Sequence, residues 1–230
     1  MKNFKKILLT MAMTMALGIS AFAASGFEFI LNVPLGVGIG IPSSLYKEMG
    51  YDKSGVGFDG GVAAQLGYMF QVTGGFGISV LGELGYHHST YALSAKEGEN
   101  SMSMSYGFDS FQIGLLPKFN IGAFAIGIGG GVKIPIAAQM SYKVKYGGQE
   151  EKGKEKVDVA SFLKTPVIGY FKATFDYSIF FTDRLAFNIG LYLGGDIAKQ
   201  EVSIGDVTAK STTSSFDVGV ELGLKFGPRA

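Results

Sequence analysis

From Phe124 to Tyr146 the even positions read Phe, Ile, Ile, Gly, Val, Ile, Ile, Ala, Met, Tyr, Val, Tyr, and the odd positions between them are Ala, Gly, Lys, Pro, Gln or Ser. A repeat of two is that of a strand with one apolar face; a helix repeats every 3.6 residues and cannot produce it. The same test marks strands at Phe27 to Ile41, Val56 to Phe70, Phe76 to Thr90, Phe111 to Ile121, Leu163 to Tyr177, Leu185 to Ile197 and Phe216 to Phe226, eight in all. Their connections alternate. Short ones fall at Gln71 to Gly75, Asn120 to Ala123 and Phe181 to Arg184, and longer polar ones at Pro42 to Gly55, Ala92 to Ser103, Gly147 to Phe162 and Lys199 to Ser215. Tight turns at one end and larger loops at the other are the hairpin pattern of an outer-membrane barrel.

Charge placement decides which face is outside. The apolar phase carries no Asp, Glu, Lys or Arg, and His88 is its one ionisable residue. The opposite phase carries Glu28, Asp59, Glu83, Lys118, Lys133, Lys164, Lys172, Asp176, Asp196, Asp217, Glu221 and Lys225 at membrane depth, with Lys143 and Lys145 higher up. An eight-stranded interior is just wide enough for ordinary side chains and would be overfilled by the Phe, Tyr, Ile and Leu of the apolar phase. The apolar face is therefore expected to meet lipid and the charges to fill the lumen. The expected fold is an all-β, closed, antiparallel, eight-stranded up-and-down transmembrane β-barrel. Two aromatic girdles are expected: Phe27, Phe29, Tyr68, Phe70, Phe76, Phe119, Phe124, Phe171, Phe175, Tyr177, Phe187 and Phe226 near the short turns, and Tyr86, Tyr142, Tyr146 and Phe216 toward the long loops. Glu28 and Lys225 lie at similar height on the first and last strands, which become neighbours on closure, so an ion pair is expected there.

Composition narrows the picture. Among 230 residues 35 are glycine, and 20 Lys plus Arg balance 19 Asp plus Glu, so no basic excess points to nucleic acid. The absence of cysteine excludes disulfides, thiolate metal sites and lipoprotein acylation. Lys2, Lys5 and Lys6, the apolar run from Ile7 to Ile19 and Ala21-Phe22-Ala23 predict a signal peptide over 1–23, cleaved after Ala23 or Ala24, leaving a single barrel domain over 24–230. Pro34, Pro117, Pro135 and Pro166 fall inside assigned strands, where bulges or opened ladders are expected. A phase change between Phe108 and Phe111 places another bulge near Asp109 and Ser110. The fifth and sixth strands should protrude, carrying Glu150, Glu151, Lys152, Lys154, Glu155 and Lys156 in a solvated loop whose role, if it has one, is that of an outward recognition surface.

The alternation, ending in Phe216, Val218, Val220, Leu222, Leu224 and Phe226, resembles the small eight-stranded outer-membrane β-barrel proteins of the OmpA transmembrane domain, OmpX and OmpW type. The resemblance covers the mature chain and rests on pattern. It implies residence in outer-membrane lipid, delivery by the barrel-insertion machinery that reads the last strand, a monomer, and loops that meet surface or host ligands. The OmpW type implies an alternative, a narrow pore or small-molecule conduit. Such proteins usually end on an aromatic residue, whereas here Gly227 to Ala230 overhangs Phe226.

Candidate chemistry is confined to His87-His88-Ser89. A His-x-Ser pair on a barrel strand is similar to that of outer-membrane lipid A deacylases of the PagL type, which would make the chain a lipid-modifying enzyme. Here His87 and Ser89 fall on the inward phase, and Thr90 stands where that motif carries Asn. The preferred reading leaves two half-hydrated histidines near the rim, with no catalytic residue and no cofactor. His87 and His88 point to opposite faces of a strand and cannot chelate one metal together.

Overall fold

The computed structural model describes residues 25–163, 165–204 and 207–230. The signal segment over 1–23 and Lys164 therefore lie outside the described residues. In chain order the elements are β1 (Gly26–Ile41), α1 (Ser44–Glu48), β2 (Lys53–Ser54), β3 (Val56–Thr73), β4 (Phe76–Glu97), β5 (Asn100–Leu115), β6 (Lys118–Ile121), β7 (Phe124–Tyr146), β8 (Gln149–Val157), α2 (Val159–Phe162), β9 (Ile168–Phe180), β10 (Leu185–Ile204) and β11 (Val207–Phe226). β5 and β6 form one stave interrupted at Leu116 and Pro117. Eight staves then follow one another, β1, β3, β4, β5/β6, β7, β9, β10 and β11, every neighbouring pair antiparallel. The ring closes between β1 and β11, in register from Phe29 opposite Phe226 to Ile41 opposite Ser214. No described helix is long and apolar enough to cross a membrane. A barrel crosses with strands, and closure satisfies every ladder without leaving an edge.

Outward positions are apolar and uncovered: Leu31, Leu66, Leu84, Ile113, Ile128, Phe175, Leu191 and Leu222 are all exposed. Inward positions are polar and buried, with Glu28, Asn32, Asp59, Gln65 and Glu221 at 0% exposure. This inverts the arrangement of a soluble barrel and places lipid against the outer face. The inner girdle stands where expected at Phe27, Phe70, Phe119, Phe124, Tyr177 and Phe226, all exposed. Phe171 and Phe175, assigned to that girdle from the sequence, stand higher, Phe171 in the outer half opposite Gly195 and Phe175 at mid-height opposite Leu191, because β9 runs from the long-hairpin end toward the short turn.

The prolines act as anticipated. The β1–β3 ladder lacks the pairs between Asn32 and Leu35 beside Pro34, Pro117 separates β5 from β6, and Pro166 lies before β9 begins. The register between β5 and β7 shifts at Asp109/Ser110, but the extra residue is Ile136 on β7, next to Pro135. Ile136 and Ala137 are both exposed and Ala138 is buried, so β7 changes phase there. This corrects two readings. Phe108 points inward with Ser110 and Gln112, all three buried. Lys143 and Lys145, assigned to the inward phase, lie on the outward face above the bulge, and Tyr142 and Tyr146 leave the outer girdle for the opposite face.

Three of the long loops are hairpins. β4 and β5 stay paired out to Glu97 opposite Asn100, β10 and β11 to Ile204 opposite Val207, and β7 pairs with β8 from Ala138 opposite Val157 to Tyr146 opposite Gln149. Above the membrane both faces of a ladder are wet, so the ladder persists after the apolar alternation has gone. Gly147 and Gly148, at φ +57° and +82°, make the two-residue turn that a tight hairpin requires. The sixth stave, expected to protrude, does not: β9 begins only at Ile168, and its place beside the upper part of β7 is taken by β8.

Candidate functional site

Every lumen charge named from the sequence and described here is buried: Glu28, Asp59, Glu83, Asp176, Asp196, Asp217 and Glu221, with Lys118, Lys133, Lys172 and Lys225. They form tiers. At the short-turn end Lys225 Nζ lies 2.7 Å from Glu28, whose carboxylate also accepts from the Ser79 hydroxyl, itself 2.8 Å from the Asn120 amide. Lys118 pairs with Asp176 at 2.7 Å. At mid-height Glu83 is a hub: it accepts from Lys172 at 2.7 Å, Gln65 at 2.9 Å, Tyr170 at 3.1 Å and Gln112. Lys172 bridges onward to Glu221 at 3.0 Å, and Asn32 donates to the other oxygen of Glu221. Above them Lys133 pairs with Asp196 at 2.7 Å, Asp59 accepts from the Thr90 amide at 2.7 Å, and Asp217 accepts from Ser215 at 2.8 Å.

Glycine makes room for these long side chains. A Cβ on Gly114 would overlap the Tyr170 hydroxyl, and one on Gly36 the Tyr192 hydroxyl. What space remains among Lys133, Lys172, Tyr192, Asp217 and Glu221 is a cavity of ≈ 20 Å³, about enough for one water molecule.

Over the charged tiers sits an apolar cap that the sequence did not reveal. Tyr91, Phe108, Ala138, Phe162, Leu163, Ile168 and Ala198 form one buried cluster, with Tyr106, Val157 and Val159 packed against it. α2 carries Phe162 into the mouth, its ring centroid 4.1 Å from Tyr106 and 5.6 Å from Phe108. Leu163 follows, bridging to Gln200. From the other side α1 turns Tyr46 inward, its hydroxyl 3.0 Å from the Gln200 amide oxygen, which also accepts from Thr213 at 2.7 Å. Burial pushes the Tyr46 hydroxyl well above the usual phenol range, so it stays protonated and donates.

His87 and Ser89 do meet, Nδ1 to Oγ at 3.1 Å, but inside the lumen, where His87, expected to be half-hydrated, is buried and Ser89 is fully buried and accepts from Lys133 at 2.8 Å. His88 lies outside, where Asp109 is 2.7 Å from its Nδ1 and also accepts from Tyr86 at 2.6 Å. Thr90 Oγ1 is 3.4 Å from His88 Nε2 and donates to the Phe58 carbonyl at 2.6 Å, so its proton is directed away from the histidine. Among the described residues no group of three or more His, Cys, Asp or Glu is placed to hold a metal ion.

A closed ladder that is apolar outside and ion-paired inside has one environment that suits both faces. The chain has the fold of a membrane-spanning β-barrel. No family model matches it, and no curated protein is similar to it by sequence. Among solved structures it is similar to the outer membrane protease OmpT of Escherichia coli, at 10% identity and a TM-score of 0.40, over 87% of this chain and 96% of that one. It is similar to the attachment invasion locus protein Ail of Yersinia pestis at 11% and 0.32, over 86% and 98%. It is also similar to the outer membrane protein OprG of Pseudomonas aeruginosa at 13% and 0.33, over 88% and 96%. The closed register and the inverted faces, rather than this distant likeness, carry the assignment.

On the outer hairpins, Glu150, Glu151, Lys152, Lys154, Glu155 and Lys156 are exposed, as are Lys143 and Lys145 across the ladder. Lys143 and Lys145 lie 2.9 and 3.3 Å from Glu150 and hold its carboxyl below the usual range.

Proposed function

We propose that this barrel is a closed, non-conducting and non-catalytic surface protein, exported by a cleaved segment over 1–23, inserted as a monomer, and active through its outer hairpins. The observation that carries this reading is the lumen, occupied from Glu28 and Lys225 at one end to Phe162 and Leu163 at the other, where the cavity among Lys133, Lys172, Tyr192, Asp217 and Glu221 has room for about one water molecule. A conduit needs a continuous polar path, and here Lys172 of β9 joins Glu83 of β4 to Glu221 of β11 across the lumen, while Lys118–Asp176 below it and Lys133–Asp196 above it each join staves two apart. The hairpins β4–β5, β7–β8 and β10–β11 stand clear of the apolar belt and offer the surface on which a membrane, surface or host ligand is met. Planar-bilayer recording on the purified barrel tests the reading. No sustained single-channel conductance is expected, whereas steady conductance by the unmodified protein would replace the closed barrel with a pore.

A further inference from the structure

The β7–β8 register sorts charge by face. Ala138 and Val157 are partners, and both pack toward the mouth, Ala138 in the buried cluster and Val157 against it. Alternation from that pair fixes every residue above it. The mouth-side face carries Met140, Tyr142, Val144 and Tyr146 with Glu155, Gly153, Glu151 and Gln149. The outward face carries Gln139, Ser141, Lys143 and Lys145 with Lys156, Lys154, Lys152 and Glu150. Five lysines and one carboxylate thus share one face, although lysines and glutamates are interleaved in the sequence. The two pairs from Glu150 to Lys143 and Lys145 span this same face, and within the paired residues of the β7–β8 ladder Glu150 is the one carboxylate on it.

The face stands directly above lipid. Ile136, exposed, is the last apolar belt residue of β7, and Gln139 opposite Lys156 comes three residues later on the same side of the sheet. At ~3.3 Å per residue and ~45° tilt, Lys156 stands ~7 Å and Lys145 ~20 Å above Ile136. A headgroup layer is roughly 5–7 Å deep, so Lys156 stands at its edge and Lys154 within about a lysine stem's length of it, while Lys152, Lys143 and Lys145 stand higher and add to the positive field above it. We propose that the outward face of the β7–β8 hairpin binds phosphate-bearing lipid headgroups of the leaflet surrounding the barrel's outer end. This rests on the reading that the barrel spans a bilayer with its hairpins outside. The bulge at Ile136 makes the arrangement: without that extra residue, Lys143 and Lys145 would face the mouth.

The chain lacks cysteine, so a Ser141→Cys change carries a fluorophore at one place on this face. The labelled barrel is reconstituted in phosphatidylcholine bilayers holding a small fraction of nitroxide-labelled phosphatidic acid or nitroxide-labelled phosphatidylcholine, and the two quenching efficiencies are compared. Phosphatidic acid should be enriched about threefold or more beside the label at ~0.1 M salt, falling toward parity at ~1 M. Joint replacement of Lys143, Lys145, Lys152, Lys154 and Lys156 by Gln should abolish the enrichment, and Glu151→Gln with Glu155→Gln on the opposite face should preserve it. Equal quenching by the two lipids in an inserted wild-type barrel, or enrichment that survives the five replacements, overturns the headgroup assignment alone. Soluble polyphosphate that binds the lysine face in neutral bilayers, without phosphatidic acid being enriched, also overturns it and gives the face to a dissolved anion. A chain washed off the vesicles by carbonate overturns the membrane reading and this one with it.

Discussion

At the scale of single residues the lumen is a set of charges that no longer have water, and each depends on its partner. Glu28 and Lys225 are 2.7 Å apart, with side-chain exposures of 0% and 6%. Removing one partner of such a pair strands the other, at a cost of up to about 3–5 kcal/mol. Glu28→Gln should therefore lower the urea midpoint of refolded protein more in the native background than alongside Lys225→Met, and equal losses in both would refute the coupling. Glu83 carries more: it receives four donors from three different walls, Lys172 and Tyr170, Gln65, and Gln112. Glu83→Gln should cost more than Glu28→Gln in the same titration, because a neutral amide can satisfy neither the ammonium nor all of the remaining donors. The Glu28–Lys225 contact was legible from counting residues back from the short turns. The Glu83 hub was not, since sequence phase shows that residues point inward but not which of several inward neighbours a long side chain reaches.

At the scale of elements, α2 acts as a stopper held by packing. Phe162→Ala removes a ring lodged between Tyr106 and Phe108 and should cost about 3–5 kcal/mol, less where the cap can collapse. The barrel ladder lies below it, so the folded form should keep its distinct mobility on an unheated denaturing gel. Loss of that mobility would mean the cap is needed for closure. The hairpin bearing β8 is the contrasting case, a two-stranded extension with exposed lysines and only β7 beside it. Trypsin added to intact cells should cut at Lys152, Lys154 or Lys156 before Arg184, which is exposed at the opposite end; first cleavage at Arg184 would invert the orientation. How far the sequence could be read follows from solvent. Within the belt one face meets lipid and the other the lumen, so alternation marks each strand. Above it both faces meet water, so the chain continues as a ladder that hydrophobic pattern cannot see. Phe162 and Leu163 look like the end of a loop and the start of a strand, and only their long-range contact with Phe108 and Ala198 makes them a cap.

At the scale of the whole molecule, the decisive property is that its surface is apolar where a water-soluble protein's would be polar. Leu191 shows the consequence. It lies midway along the outward face of β10, between Leu185 near the short turn and Ile197 toward the hairpin, and is 60% exposed. In a soluble protein an exposed leucine makes few contacts, and Leu191→Arg would change stability by no more than about 0.5 kcal/mol. In a barrel the same position faces the bilayer midplane, where an arginine costs about 2–4 kcal/mol, falling to about 0–1 near the interfaces. Leu191→Arg should therefore lower the urea unfolding midpoint in phospholipid vesicles markedly. Leu185→Arg, near the inner interface, should lower it much less. The depth dependence is what distinguishes lipid from packing, because loss of side-chain contacts would scale with burial, and Leu185, at 39% exposure, is the more buried of the two. A larger loss at Leu185 than at Leu191 would follow packing and defeat the lipid assignment; a larger loss at Leu191 has no source other than the hydrocarbon around the barrel.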